Sequence, residues 1–447
     1  MIRETAQSVT EPDPIRFVGP AGAQKPATLV DSMKITRVTT AVLEANFNWN
    51  FVKIETDEKI TGYGEVFLAP GLTAVIREYA RLLIGEDPTS IDRVMRRMRL
   101  SAVHVSPGIA MHAILGLEAA LLDLIGKKYH MPVWQILGGK YRDEVRIYAD
   151  CHAGTALSSI DPLLIPRTPA WMAADRAPQD PSLVHLKRHG WDASKKEHQT
   201  PEEYARQARE MAERGFRILK FDIDVPTPFD TDEYNRDLSR SEIEYADMLI
   251  GAVRKELGPD TGLAIDCHWN YGVQAAVEMA RAMEKHKLLW LEDPVPPENI
   301  LALAQVQRNT ATPISTGENH YFRLDFQRLI VEGGLRVLAP DVQKIGLWEG
   351  RKVADLADLH YVNLALHNIS GPLGTMAGVH LSAAIPNILA LEWHAASVPF
   401  FDELVKNAEG PLIRDGKVRV PDAPGLGIEL DEDAAWRYRM PGEPFFE

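Results

Sequence analysis

Cysteine is scarce: Cys151 and Cys267 are the only two in 447 residues. That is too few for a disulfide framework or a thiolate metal site, and it fits a reducing compartment. Basic charge is short as well. With 49 Lys+Arg against 63 Asp+Glu the formal net charge is -14, and a field of that sign repels a phosphate backbone and an anionic lipid surface alike. Long apolar runs are also missing. The most apolar stretch, Ile109 to Ile125, is interrupted by His112, Glu118 and Asp123, short of the roughly 20 apolar residues that a membrane span needs. No signal-peptide pattern opens the chain, because Glu4, Glu11 and Asp13 break it up and Pro12 and Pro14 stand among them. The expectation is a soluble, cytoplasmic protein with neither a nucleic-acid nor a membrane partner.

What is present is ordinary globular material, 45% hydrophobic and 25% charged, over a length that exceeds one average domain. Residues 1–31 are rich in Pro, Ala and Thr without period and read as a surface extension. From Met33, extended runs at Lys34–Leu43, Phe51–Glu55 and Gly62–Val66 predict a small antiparallel meander. Helical periodicity follows over Ala74–Ile84, Ser90–Leu100 and Pro107–Lys128. Residues 32–140 are therefore expected to form an α+β cap.

Past Gly138-Gly139 the texture changes to β-branched runs alternating with helix-length segments. Eight such runs occur: Val145–Asp150, Ile218–Asp224, Leu263–His268, Leu288–Asp293, Ile314–Glu318, Val337–Gln343, Asn363–Asn368 and Ile388–His394. Eight strands with intervening helices over about 250 residues are what a (β/α)8 barrel requires, so an α/β barrel is predicted over 141–395. Residues 396–447 are read as a segment returning to the cap. The polar, Pro-rich stretch 155–200 is too long for one connection. Either it is a lid whose basic residues, among them Arg167, Arg176 and Arg188, meet an acidic substrate, or its charges are simply solvated.

Asp266, Glu292 and Glu318 each close a predicted strand and stand 26 residues apart, one βα unit each. Three carboxylates are thereby expected at the C-terminal rim, the face where barrels place their chemistry. Like charges converging there call for a cation, and an all-oxygen donor set suits a hard divalent ion such as Mg²⁺. Asp341 and His367 are also 26 apart; a carboxylate on one imidazole nitrogen makes the other a general base. Lys220 offers a point cation beside the substrate carboxylate. His268, two residues past Asp266, is expected on the same face of that strand, either as an acid/base beside the metal or only as a partner of its ligands. Such a set suits abstraction of a proton next to a carboxylate, and His268 would add departure of a β-hydroxyl.

The run Gly116–Lys128 with Pro132-Val133 and Leu137-Gly138-Gly139 resembles the last cap helix and linker of the enolase superfamily's mandelate racemase group. Gly62-Tyr63-Gly64-Glu65, Leu291-Glu292-Asp293-Pro294, Gly317-Glu318-Asn319 and Leu391-Glu392-Trp393-His394 are similar too. The resemblance covers residues from about 33 to 435. It implies Asp266, Glu292 and Glu318 as Mg²⁺ ligands, His367 with Asp341 as base, and Glu392 at the substrate carboxylate or its enolate. It also implies a homo-oligomer, dimer or octamer, and a cap that closes over the mouth with residues 45–51 and 67–72. The racemase pattern Lys-x-Lys on the second strand is here Lys220-Phe221-Asp222, which disfavours 1,1-proton transfer. Asp266-x-His268 is instead similar to acid-sugar dehydratases such as galactonate dehydratases. The implied activity is Mg²⁺-dependent dehydration of a sugar acid, an aldonate or a relative, through an enediolate to a 2-keto-3-deoxy acid. The rivals are a racemase, epimerase or cycloisomerase pairing His367 with Asp222 or His268, and a metal-bound barrel without catalysis.

Overall fold

A computed structural model describes residues 33–151, 159–172, 199–229, 232 and 234–447. The predicted extension 1–31 and most of the insertion, with Arg176 and Arg188, lie outside the described residues.

The first three strands, β1 (Ile35–Glu44), β2 (Asn48–Thr56) and β3 (Thr61–Val66), form an antiparallel sheet in chain order. Helices α1 (Leu72–Ala80), α2 (Ile91–Ser101) and α3 (Ile109–Tyr129) follow. By length and composition α3 could cross a bilayer, yet 94% of its most apolar window is buried inside the protein. Its apolarity is that of a core helix flanked on every side. Gly62 and Gly64 let β3 lie directly on it: a Cβ at Gly62 would fall 2.2 Å from the Ala120 carbonyl oxygen, and one at Gly64 would fall 2.4 Å from that of Gly116.

The parallel strands are β4 (Glu144–Cys151), then, after a two-stranded hairpin β5 (Ser159–Ile160) and β6 (Pro166–Arg167), β7 (Ile218–Asp222), β8 (Gly262–Asp266), β9 (Trp290–Glu292), β10 (Ile314–Thr316), β11 (Val337–Leu338), β12 (Asn363–Leu366) and β13 (Ile388–Trp393). Strand β13 pairs back to β4 and closes an eight-stranded ring. Helices of the predicted type lie between the strands. Those at Pro201–Glu213 and Arg240–Leu257 each begin in a capping box, Thr200 with Glu203 and Ser239 with Glu242.

Side chains alternate across each strand, and Tyr148, Ile218, Ala264, Trp290, Val337, Ala365 and Ala390 meet inside the ring as a separate apolar plug. Two residues further along, the same parity turns Asp150, Lys220, Asp266, Glu292, His367 and Glu392 inward at the rim. The plug makes the barrel a solid floor under the polar layer.

Cap and barrel are joined by buried polar contacts. Glu65 accepts from the backbone N–H groups of Gly371 (2.6 Å) and Gly374 (2.8 Å), at the start of the helix Pro372–Ala384, where carboxylates are favoured. The C-terminal segment touches both halves: its strand Lys417–Arg419 pairs with β4, while Arg439 and Phe445 bridge to Leu43 and Ala41 of β1.

Within the described part of the insertion, Arg167 differs from both sequence expectations for its charge. Arg167 is neither solvated nor on the cavity wall; it forms a buried ion pair with Glu44 of the cap at 3.1 Å. Glu44 also accepts from the Ala170 N–H and, through its backbone oxygen, from the Trp171 indole. Apolar and basic residues of a loop can thus serve to dock it, which charge patterning alone does not distinguish from solvation.

Candidate active site

A cavity of about 250 Å³ opens at the C-terminal rim, with Lys220, Asp266, His268, Glu318, His367 and Lys344 in its wall. It falls just below the usual range of ligand pockets, roughly 300–1,000 Å³, which suits a small molecule. The cap contributes Phe47, Phe67 and Leu68, and the insertion Pro162 and Leu164. A larger depression of about 500 Å³ beside the C-terminal segment is lined by exposed Arg414, Lys417 and Arg419 and lacks convergent buried groups.

Lys220 is 1% exposed and sits among four carboxylates: Asp266 and Glu392 at 2.8 Å, Glu292 at 3.3 Å and Asp150 at 3.7 Å. Burial opposes its charge, but those anions hold its pKa well above the ordinary value. Asp150, directly paired with Lys220 across β4 and β7, is not among the sequence candidates, although it follows Tyr148 by the parity of the plug.

The three carboxylates predicted as ligands are not level. Asp266 and Glu292 are register partners, but Ser315, not Glu318, is opposite Glu292. Glu318 lies three residues further on, past Gly317, where any Cβ would fall 2.7 Å from the Ala339 backbone. The equal spacing therefore reports the length of the βα units and not the register. Glu292 receives the Trp290 indole N–H at 2.6 Å and lies below the cavity wall, as does Glu392. The tightest ligand-atom grouping among the described residues is Asp222, Asp266 and His268, all within 4.8 Å of one another.

His367 has Nδ1 2.7 Å from Asp341 and Nε2 3.1 Å from Glu318. Burial opposes protonation, but Glu318, Glu392 and Asp341 outweigh it and bring the pKa to about 9. Asp341 also accepts the Gln343 N–H at 2.6 Å as cap of the short helix Val342–Ile345, which fixes the carboxylate in place.

His268 reaches the cavity by another route than the strand parity expected. It lies beyond β8 with φ 41°, followed by Trp269 at φ 54°, a left-handed turn uncommon for such residues. Its backbone N–H binds Asp266 Oδ1 at 3.0 Å. Its Nδ1 is 3.0 Å from Asp224, whose other oxygen accepts from Asn270 at 2.9 Å. Nε2 is 3.8 Å from Asp266 and 3.9 Å from Asp222. Burial again opposes protonation, and Asp224, Asp266 and Asp222 hold the imidazole well above its usual pKa.

The acid excess is the electrostatic signature of the rim. Burial first, then Glu318 and Asp266, push Asp293 up to about 8; burial first, with Asp266, Glu392 and Asp293 adding to it, pushes Glu292 well up. Crowded carboxyls that cannot all ionise fit a divalent cation, and the oxygen-rich donor set suits a hard one.

The same architecture is found in known proteins. Residues 28–138 match the mandelate racemase / muconate lactonizing enzyme N-terminal domain and residues 203–434 the enolase C-terminal domain-like family. The chain is 35% identical over 422 residues to the D-xylonate dehydratase of Haloferax volcanii, covering 94% of this chain and 92% of that one. It is 27% identical to the D-galactonate dehydratase of Cronobacter sakazakii, with 90% and 93% covered. A crystal structure of a mandelate racemase/muconate lactonizing enzyme-like protein from Rubrobacter xylanophilus superposes with TM-score 0.82 at 38% identity, covering 93% of this chain and all of that one.

Proposed function

Because the chain belongs to the mandelate racemase / muconate lactonizing enzyme family, we propose that it is a cation-dependent dehydratase of a sugar acid, with a five-carbon aldonate as the first candidate. The observation that carries this reading is the pair of imidazoles. Strands β8 and β12 are third and seventh in a ring of eight, so His268 and His367 approach the cavity from opposite sides. Each has Nδ1 against a carboxylate, which leaves Nε2 for proton transfer.

His367 Nε2 takes the proton from the carbon next to the substrate carboxylate. The electron pair moves first into an enediolate at the carboxylate end and then returns to form the C2–C3 double bond as the C3–O bond breaks. His268 Nε2 gives its proton to the departing hydroxyl, which leaves as water, and the enol tautomerises to the 2-keto-3-deoxy acid. Lys220 offsets the charge of the carboxylate end from below, with Glu392 beside it at 2.8 Å. A divalent cation would be held by Asp266, Glu292 and Glu318 and would supply a Lewis acid for the substrate carboxylate; Glu318, which lies 3.1 Å from His367 Nε2, would then be engaged with the cation and leave that nitrogen free.

The preference for a five-carbon acid rests on the 35% identical relative, named for D-xylonate. We extend the proposal to Mg²⁺ as the cation, on the hardness of the donors, and to a homo-oligomer of the cytoplasm, with Cys151 and Cys267 both free and buried.

The test is a panel of aldonates and aldarates incubated with protein and Mg²⁺, with 2-keto products trapped by semicarbazide. Keto product from an aldonate, abolished by EDTA and restored by Mg²⁺, is expected. Exchange of the C2 proton in D₂O without keto product would replace dehydration by epimerisation.

A further inference from the structure

The rim holds two buried lysines, Lys220 on β7 and Lys344 just past β11, second and sixth in the ring and therefore opposite one another. They are differently provided for. Lys220 is surrounded by four carboxylates. Lys344 is 3% exposed and has no ion-pair partner among the described residues. Its ammonium donates to Asn319 Oδ1 at 3.1 Å and lies 3.8 Å from the centre of the Phe67 ring. Asn319 is held the right way round for this, because its Nδ2 donates to Glu318 at 3.2 Å.

A buried cation without an anion is costly to keep. An amide oxygen and a ring face account for two of its three donor directions, and Lys344 lines the cavity. The third donor is available to whatever fills that space. Its height is set by the cap: Phe67 belongs to the cap, whereas Lys220 sits one layer above the plug. A sugar acid anchored by its carboxylate at the Lys220 level and extending toward the cap would present its chain-end oxygens to Lys344, which lines the same cavity.

We infer that Lys344 is a specificity-determining contact, donating to an oxygen of the substrate chain beyond the carbon that loses its hydroxyl. This rests on the sugar-acid reading above. The shared chemistry is an electron-rich oxygen, which a terminal hydroxyl of an aldonate or a terminal carboxylate of an aldarate can supply.

The experiment compares kcat/KM for a turned-over five-carbon aldonate with its 4-deoxy and 5-deoxy analogues, in the native protein and in Lys344→Met. The native protein is expected to favour the full substrate over at least one deoxy analogue by about 10- to 100-fold, as for a hydrogen bond from a charged donor. Lys344→Met should reduce that ratio to within about threefold. The ratio is taken within one protein, so a general loss of activity does not mimic the result. Calorimetry of the same acids on His367→Asn, with and without Lys344→Met, reads the same ratio as affinities and does not need turnover. Running the matching aldarate identifies the source: if its advantage vanishes in Lys344→Met, the contact is to a terminal carboxylate. Unchanged discrimination in Lys344→Met overturns the assignment. Absence of keto product from every acid with the native protein overturns the sugar-acid reading instead.

Discussion

The two sides of the cavity use the same residue pair in different settings. On the β12 side, His367 continues the strand parity and pairs in register with Asp341, so base and carboxylate are held by the barrel itself. On the β8 side, His268 lies in a left-handed turn and depends on Asp224 and Asn270 for its orientation. One side is built from regular structure and the other from loops. A third buried histidine shows what the carboxylates contribute. His380 is fully buried, accepts the Trp134 N–H at Nδ1 and is carried by burial down to about 4, whereas His367, also buried, rises to about 9. Burial alone silences an imidazole; the rim acids keep it able to carry a proton.

Substitution of the base on the β12 side should have the largest effect. His367→Asn should lower kcat by roughly 10²–10⁴-fold and remove C2 proton exchange in D₂O as well, measured by NMR on the leading substrate. Retained exchange would place the base elsewhere.

A smaller effect concerns stability. His380 has a folded pKa of about 4 against about 6.5 unfolded. The unfolded chain therefore binds the proton first, and stability is lost as pH falls from about 6.5 toward 4, by at most about 3 kcal/mol. Urea titrations across that range should show a shallower acid loss in His380→Leu than in the native protein. Parallel curves would mean that His380 does not titrate in this way.

How far the site is legible in sequence follows the same division between strands and loops. The strand-borne groups are legible, because an apolar residue facing the plug implies a rim residue two positions on: Ala264 gives Asp266, Trp290 gives Glu292, Ala365 gives His367. Asp150 obeys the same rule from Tyr148, but its strand carries no partner at the 26-residue spacing that draws attention to the others. What the rule cannot reach is set by tertiary context. Glu318 rises above its expected level because Gly317 passes close to Ala339. Asp224, Asn319 and Lys344 sit in segments whose conformation depends on neighbouring loops. The cap contacts, such as Asn46 Nδ2 to His394 Nδ1 at 3.0 Å and Arg167 to Glu44, join residues more than a hundred positions apart, beyond any local pattern.

The most direct test of the two-sided account is His268→Asn incubated with Mg²⁺ and the leading sugar acid in D₂O. If His367 abstracts the proton and His268 serves the leaving hydroxyl, C2 should exchange for deuterium at a rate comparable to native turnover while 2-keto product falls by about 10²-fold or more. Loss of exchange together with product, or keto product at the native rate, would contradict the division of labour between the two imidazoles.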